Sequence, residues 1–234
     1  MTSLIVVLLL SYLAGSIPTS IVAGRLLAGI DIRTRGSGNA GATNVYRVLG
    51  IGPAIAVAVV DVAKGAVAAL LISRIQIGMP APVDPVLLRL LAGGAAVVGH
   101  VWTIFAGFRG GKGVATAIGA LGGITPAALA CSVAVWITLL LSVRIMSVAS
   151  LGAAVVLPIG VWILERGPEG GTPRDMLWFT SALALLIVFT HRRNIVRLFR
   201  GEEPRLGRDR TPEGKQPENE LLETTGAEGG GGEP

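Results

Sequence analysis

Three short stretches of an otherwise apolar chain concentrate glycines, small polar side chains and cations: RGSGNAGATNVYR (35–47), GFRGGKGVAT (107–116) and HRRNIVRLFRGEE (191–203). In the first, Gly36, Gly38 and Gly41 alternate with Ser37, Asn39, Thr43 and Asn44, and Arg47 closes the run. Glycines let backbone N–H groups wrap an anion, and a helix start that follows adds its positive dipole end, so this island is a phosphate cradle in outline. The second places Gly110, Gly111 and Gly113 around Lys112, with Arg109 beside them and a helix expected from Val114. That is a second anion site by the same physics. In the third, His191, Asn194 and Arg197 fall three apart and share one face of a helix, a set suited to a phosphate or a reacting hydroxyl.

Several familiar chemistries are excluded. GGKGVAT invites a nucleotide-binding reading, but a P-loop needs Ser or Thr after the lysine, where Gly113 stands, and glycine five positions before Gly111, where Ala106 stands. No H-E-x-x-H, no Cys/His metal spacing and no G-x-S-x-G elbow occurs. Neither histidine heads a His-x4-Asp dyad, because Phe105 follows His100 at that distance and Val196 follows His191. The single cysteine, Cys131, lies in an apolar run and forms no intrachain disulfide.

These islands must be positioned by membrane helices. The chain has 234 residues, of which 51% are hydrophobic and 15% charged, and its mean hydropathy is +0.67. That is too much apolar surface for a soluble domain of this size. Spans of about 20 apolar residues are expected at roughly 3–24, 51–73, 87–106, 146–164 and 176–190. The first run has no cation before it and no cleavage pattern, so it is read as a retained helix rather than a signal peptide. Residues 114–143 are too long for one comfortable span and contain GGITP (122–126), which should break a helix.

Parity decides how that stretch runs. A bent pair, 114–123 and 126–143, puts Arg144 and the 191–200 cations on the same side as Arg25, Arg33 and Arg35, as the positive-inside rule requires. The expectation is an all-α polytopic protein of seven segments, N-terminus out and C-terminus in, with all three islands on the cytoplasmic face. Asp61 and Lys64, three apart within a span, are too costly there unless they compensate each other or line a polar cavity, and they are read as support for the site. His100 is read as a hydrogen-bonded packing residue. The external loops, about 74–86 and 165–175, show no chemistry.

The membrane domain is expected over 1–203. The tail over 204–234 carries four Lys/Arg against seven Asp/Glu, leaving an excess of eight cations in the rest of the chain. Rich in Gly, Pro and Glu, it is expected to be disordered.

Taken in order, GSGNAGATNVYRVLG, GFRGGKGVAT with its preceding GH, and HRRNIVRLFRGEE resemble the three signature motifs of the bacterial acyl-phosphate-dependent glycerol-3-phosphate acyltransferases, the PlsY family. GSIPTS and DVAKG are also similar to that family, while Arg109 stands where Lys is more usual and the acidic tail is not a family feature. The resemblance implies acyl transfer from acyl phosphate to the 1-hydroxyl of sn-glycerol 3-phosphate, giving lysophosphatidate and phosphate, the first step of phospholipid synthesis. It implies a cytoplasmic active site in the cell membrane, lipid as surroundings, and an enzyme that produces acyl phosphate as a candidate partner. Neither metal, cofactor nor nucleic acid is expected.

On that reading Ser37, Lys112, His191 and Asn194 are the expected catalytic set. Gly38, Asn39, Gly41 and Thr43 cradle the acyl phosphate, with Gly110, Gly111 and Gly113 nearby and Asn44 in the same loop. Arg47 and Arg197 help to position glycerol 3-phosphate, and Glu203 orients Arg or His. Both His191 and the departing phosphate oxygen stand as proton acceptors. A transporter of small organophosphates would want similar features but should carry anion-binding groups near the midplane, reachable from both sides.

Overall fold

The structure, a computed structural model, describes residues 2–77, 83–165 and 173–207. Every regular element among them is helical: α1 (Thr2–Gly15), α2 (Thr19–Ala28), α3 (Ala42–Leu49), α4 (Ile51–Leu70), α5 (Pro85–Val101), α6 (Val114–Leu121), α7 (Pro126–Val143), α8 (Met146–Leu164), α9 (Arg174–Thr190) and α10 (Arg192–Phe199). Five stretches are long and apolar enough to cross a membrane: Thr2–Ala28, Ile51–Arg74, Pro85–Ala106, Pro126–Val143 and Met146–Leu164. The protein is therefore an all-α polytopic membrane protein. The acidic tail beyond residue 207 and parts of both expected external loops lie outside the described residues.

Two boundaries depart from expectation for physical reasons. The run expected as one helix over 3–24 is broken between Gly15 and Thr19, because Pro18 has no N–H to continue the ladder and biases Ile17 away from the helical region. Residues 114–123 form only the eight-residue α6. At 1.5 Å per residue that is about 12 Å, well short of a hydrocarbon core. The break before Pro126 falls where GGITP places it, and α7 starts with that proline in its first turn.

α6 is held as a half-helix against α4. A methyl on Gly65 would overlap the Thr116 carbonyl oxygen, and one on Gly119 would overlap that of Val62, so the two backbones meet directly. Helices α5, α6, α8 and α9 share an apolar core that includes Leu90, Val97, Leu121, Leu157 and Ile187. By contrast only Ala128 and Ser132 of α7 are buried, and Cys131 is exposed there. α7 packs chiefly on α8, which leaves a long gap towards α4 and α6.

Candidate active site

That gap opens into a cleft of about 760 Å³. Its walls are apolar along α4, α6, α7 and α8, where Ile55, Ile118, Leu129, Val133, Trp136 and Leu157 face it. Its other end is polar and gathers residues from all three islands, the first and third more than 140 positions apart in the chain.

The first island is organised by Asn44. Its Oδ1 accepts from the Ser37 amide at 2.7 Å and the Ser37 hydroxyl at 3.1 Å, while its Nδ2 donates to the carbonyls of Ile32 at 2.8 Å and Arg35 at 3.1 Å. Asn44 is 1% exposed. It lines the cleft, but its amide is committed to the loop, so it shapes the site instead of presenting the free donor expected of a binding residue. Ser37 gives its hydroxyl proton to Asn44, and its lone pairs are not used in that bond. Gly38, Asn39, Gly41, Thr43 and Arg47 also face the cleft. Gly41 caps α3, and with Ala42 and Thr43 it brings the start of that helix, the positive end of its dipole, to the cleft.

In the second island Gly113 caps α6 at φ 86°. A side chain there would be strained and would press on Val97, so glycine is required where Lys112 turns into the cleft. Gly110 and Gly111 depart from expectation. Their amides donate to the carbonyls of Val101 and His100, both at 3.0 Å, and they pack behind the cleft against α5 instead of offering those N–H groups to a ligand. Arg33, just before the first island, reaches the second: its Nη1 donates to the carbonyls of Ala106 at 2.8 Å and Arg109 at 3.4 Å while Nη2 pairs with Asp31 at 2.7 Å.

The third island completes an array built across long sequence separations. Lys112 Nζ donates to Asn194 Oδ1 at 2.6 Å, and Asn194 Nδ2 donates to Glu203 Oε1 at 2.6 Å. Arg197 Nε pairs with Glu203 Oε2 at 2.7 Å, and the Ser147 hydroxyl donates to Oε1 at 2.8 Å. Glu203 can reach back because Gly201, at φ 71°, turns the chain after α10. Burial opposes its charge, but the hydrogen bonds from Asn194, Arg197 and Ser147 outweigh that and hold its carboxyl below the usual range. Burial lowers Lys112 to about 8, against the attraction of Glu203 and with help from Arg197 and Arg47.

His191, 2% exposed, has Nδ1 at 2.8 Å from the Ile187 carbonyl oxygen. That places the proton on Nδ1 and the lone pair on Nε2. Burial, then the nearby Lys112 charge, lowers its pKa to about 4, so it is a neutral imidazole at physiological pH. Ser147 and Thr190, whose hydroxyl donates to the Lys112 carbonyl at 3.2 Å, were not anticipated from the sequence. Both lie at ends of apolar helices, where no local pattern marks them. Asp61, which also lines the cleft, pairs with Lys64 at 2.9 Å, the mutual compensation expected of them. Among the described residues no group of three His, Cys, Asp or Glu side chains is placed to hold a metal ion.

The chain is similar to proteins of one named family. A family model described as glycerol-3-phosphate acyltransferase matches residues 5–201. Relatives named glycerol-3-phosphate acyltransferase from Pelodictyon phaeoclathratiforme and Chlorobaculum parvum are 43% and 42% identical, each alignment covering 88% of this chain and 97% of the relative. The crystal structure of PlsY, an integral membrane glycerol 3-phosphate acyltransferase, superposes with a TM-score of 0.76 in its glycerol 3-phosphate form and 0.74 in its lysophosphatidic acid form. These are 35% and 34% identical and cover 88% of this chain and 96% of that one. With a match that takes in the first two islands whole and the third as far as Gly201, the chain belongs to the glycerol-3-phosphate acyltransferase family.

Proposed function

We propose that the chain transfers a fatty acyl group from acyl phosphate to the 1-hydroxyl of sn-glycerol 3-phosphate, releasing lysophosphatidate and inorganic phosphate. The reaction takes place at the cytoplasmic face of the bacterial cell membrane, the side to which the positive-inside rule assigns the three cation-bearing islands. The observation that carries this reading is the shape of the cleft: an end with two helix N-termini, Arg47, Lys112 and Arg197 opens directly into an apolar groove. One substrate is a small phosphate and the other a phosphate on an acyl chain, and this single cleft suits both.

The first island cradles the donor phosphate with its backbone amides, and the acyl chain lies along α4, α6 and α7. Lys112, Arg47, Asn194 and Arg197 bind the phosphate of glycerol 3-phosphate, and Glu203 keeps Asn194 and Arg197 in place. Ser37, with lone pairs free, accepts from the attacking hydroxyl. The hydroxyl oxygen bonds to the acyl carbonyl carbon, the bond from that carbon to the phosphate oxygen breaks, and the hydroxyl proton ends on the departing phosphate. A histidine lowered to about 4 is a poor proton acceptor, whereas the phosphate oxygen becomes more basic as its carbon bond breaks. The phosphate is therefore the base, and His191 orients the acceptor through Nε2. An acyl phosphate is already activated, so positioning and electrostatics suffice without a covalent nucleophile.

The test is phosphate release by purified protein in lipid-supplemented detergent, given palmitoyl phosphate with and without glycerol 3-phosphate, and palmitoyl-CoA as the alternative donor. Release that needs the acceptor, with no turnover of the thioester, is the expected result. Turnover of palmitoyl-CoA alone would overturn the donor assignment.

A further inference from the structure

His100 is buried at the margin of the cleft and has no step in the reaction above, yet it stands where four parts of the fold meet. Its Nδ1 lies 3.5 Å from Asp61 Oδ1. That same oxygen accepts from the Thr19 hydroxyl at 2.6 Å and pairs with Lys64 Nζ at 2.9 Å, and Lys64 Nζ also donates to the Ile17 carbonyl at 3.2 Å. The cluster thus fastens α4 and α5 to the break before α2. On its other edge the His100 ring backs directly onto Gly111. A methyl on Gly111 would run into His100 Nε2 and would stand 2.8 Å from the Ala40 carbonyl oxygen of the first island. The backbone carbonyl of His100 accepts the Gly111 amide at 3.0 Å. The next residue is Lys112, whose amine reaches Asn194.

We propose that His100, held by the buried Asp61–Lys64 pair, is a positioning residue: it seats the glycine turn that carries Lys112 against the Ala40 end of the first island. It thereby sets the affinity for the phosphate of glycerol 3-phosphate. The proposal rests on the assignment of Lys112 to that phosphate and goes beyond it by naming what fixes the lysine. Gly110 and Gly111 belong to this device rather than to the ligand. Their want of side chains lets the turn lie flat on the His100 ring and the end of α5.

The test is calorimetric titration of the purified, detergent-solubilised protein with glycerol 3-phosphate, which needs no acyl donor and so stands apart from the choice between acyl phosphate and thioester. His100→Leu, close in bulk but without the ring nitrogens, should weaken Kd by about tenfold or more, while His100→Asn, which keeps a donor for Asp61, should stay within about threefold of wild type. Equal Kd values for wild type and His100→Leu, or an equal loss in both variants, would overturn it. If His100→Leu does not survive purification, Thr19→Val and Thr19→Ser test the same cluster from its far side. The valine should weaken Kd by about threefold or more and the serine should not, and identical Kd values for these two would overturn the proposal.

Discussion

The loop before α3 and the Lys112–Asn194–Glu203 array face one cleft but are held in opposite ways. The loop is organised from within: Asn44 gathers Ser37, Arg35 and Ile32, none more than 12 residues away. The array exists only after tertiary assembly, since Lys112 meets Asn194 across 82 positions and Ser147 meets Glu203 across 56. The loop therefore supplies shape and backbone amides, whereas the array supplies charge whose strength depends on burial. Burial is the largest cause that lowers both Lys112 and His191 beside the cleft. The division between loop and array separates what substitution should do to each region.

The largest effect is expected in the array. Lys112→Ala removes both a cation from the phosphate end and the donor that fixes Asn194, and should lower kcat/KM for glycerol 3-phosphate by about 10³-fold with helix content unchanged by circular dichroism. A loss below about tenfold would reverse the comparison and make the loop amides the main anion site. Next comes the loop. Asn44→Ala leaves the Ser37 amide and the Ile32 and Arg35 carbonyls short of their partner, and should cost about 2–4 kcal/mol of thermal stability in detergent along with about 10²-fold in kcat/KM. Lost activity at unchanged stability would instead mean that Asn44 touches substrate.

The same division explains what could be read from the sequence. Breaks at GGITP, the helix start at Val114 and the shared face of His191, Asn194 and Arg197 all follow from local rules, because proline, glycine and a 3.6-residue period act over a few residues. Topology brings the islands to one expected face of the membrane, and the cleft that joins them is visible only in the fold. Which groups are free to bind is likewise visible only there. Asn44 reads as a ligand-binding amide until its partners are known, Gly110 and Gly111 read as an anion loop until their amides are found on α5, and Ser147 carries no mark at all. Hydrogen-bond satisfaction is settled between distant residues, and no window of sequence records it. Pro18 marks a helix break by the same local rules, inside a run whose apolar character by itself reads as one span.

The smallest effect sharpens the charge side of the comparison. With Lys112 lowered to about 8, its ammonium form dominates below that pH and is lost above it. kcat/KM for glycerol 3-phosphate, which reports the free enzyme, should therefore fall by about tenfold between pH 7 and 9. His191, lowered to about 4, is neutral across that range and contributes no limb there. Were its imidazolium the phosphate clamp, activity would instead decline as pH climbed through its ordinary value near 6.5. The control is Lys112→Arg. A guanidinium fits the site less well and should lower the whole profile, but it stays charged, so the alkaline limb should move beyond pH 9. A limb that persists in Lys112→Arg would assign the titration to another group and remove the case that the array works through the charge on Lys112.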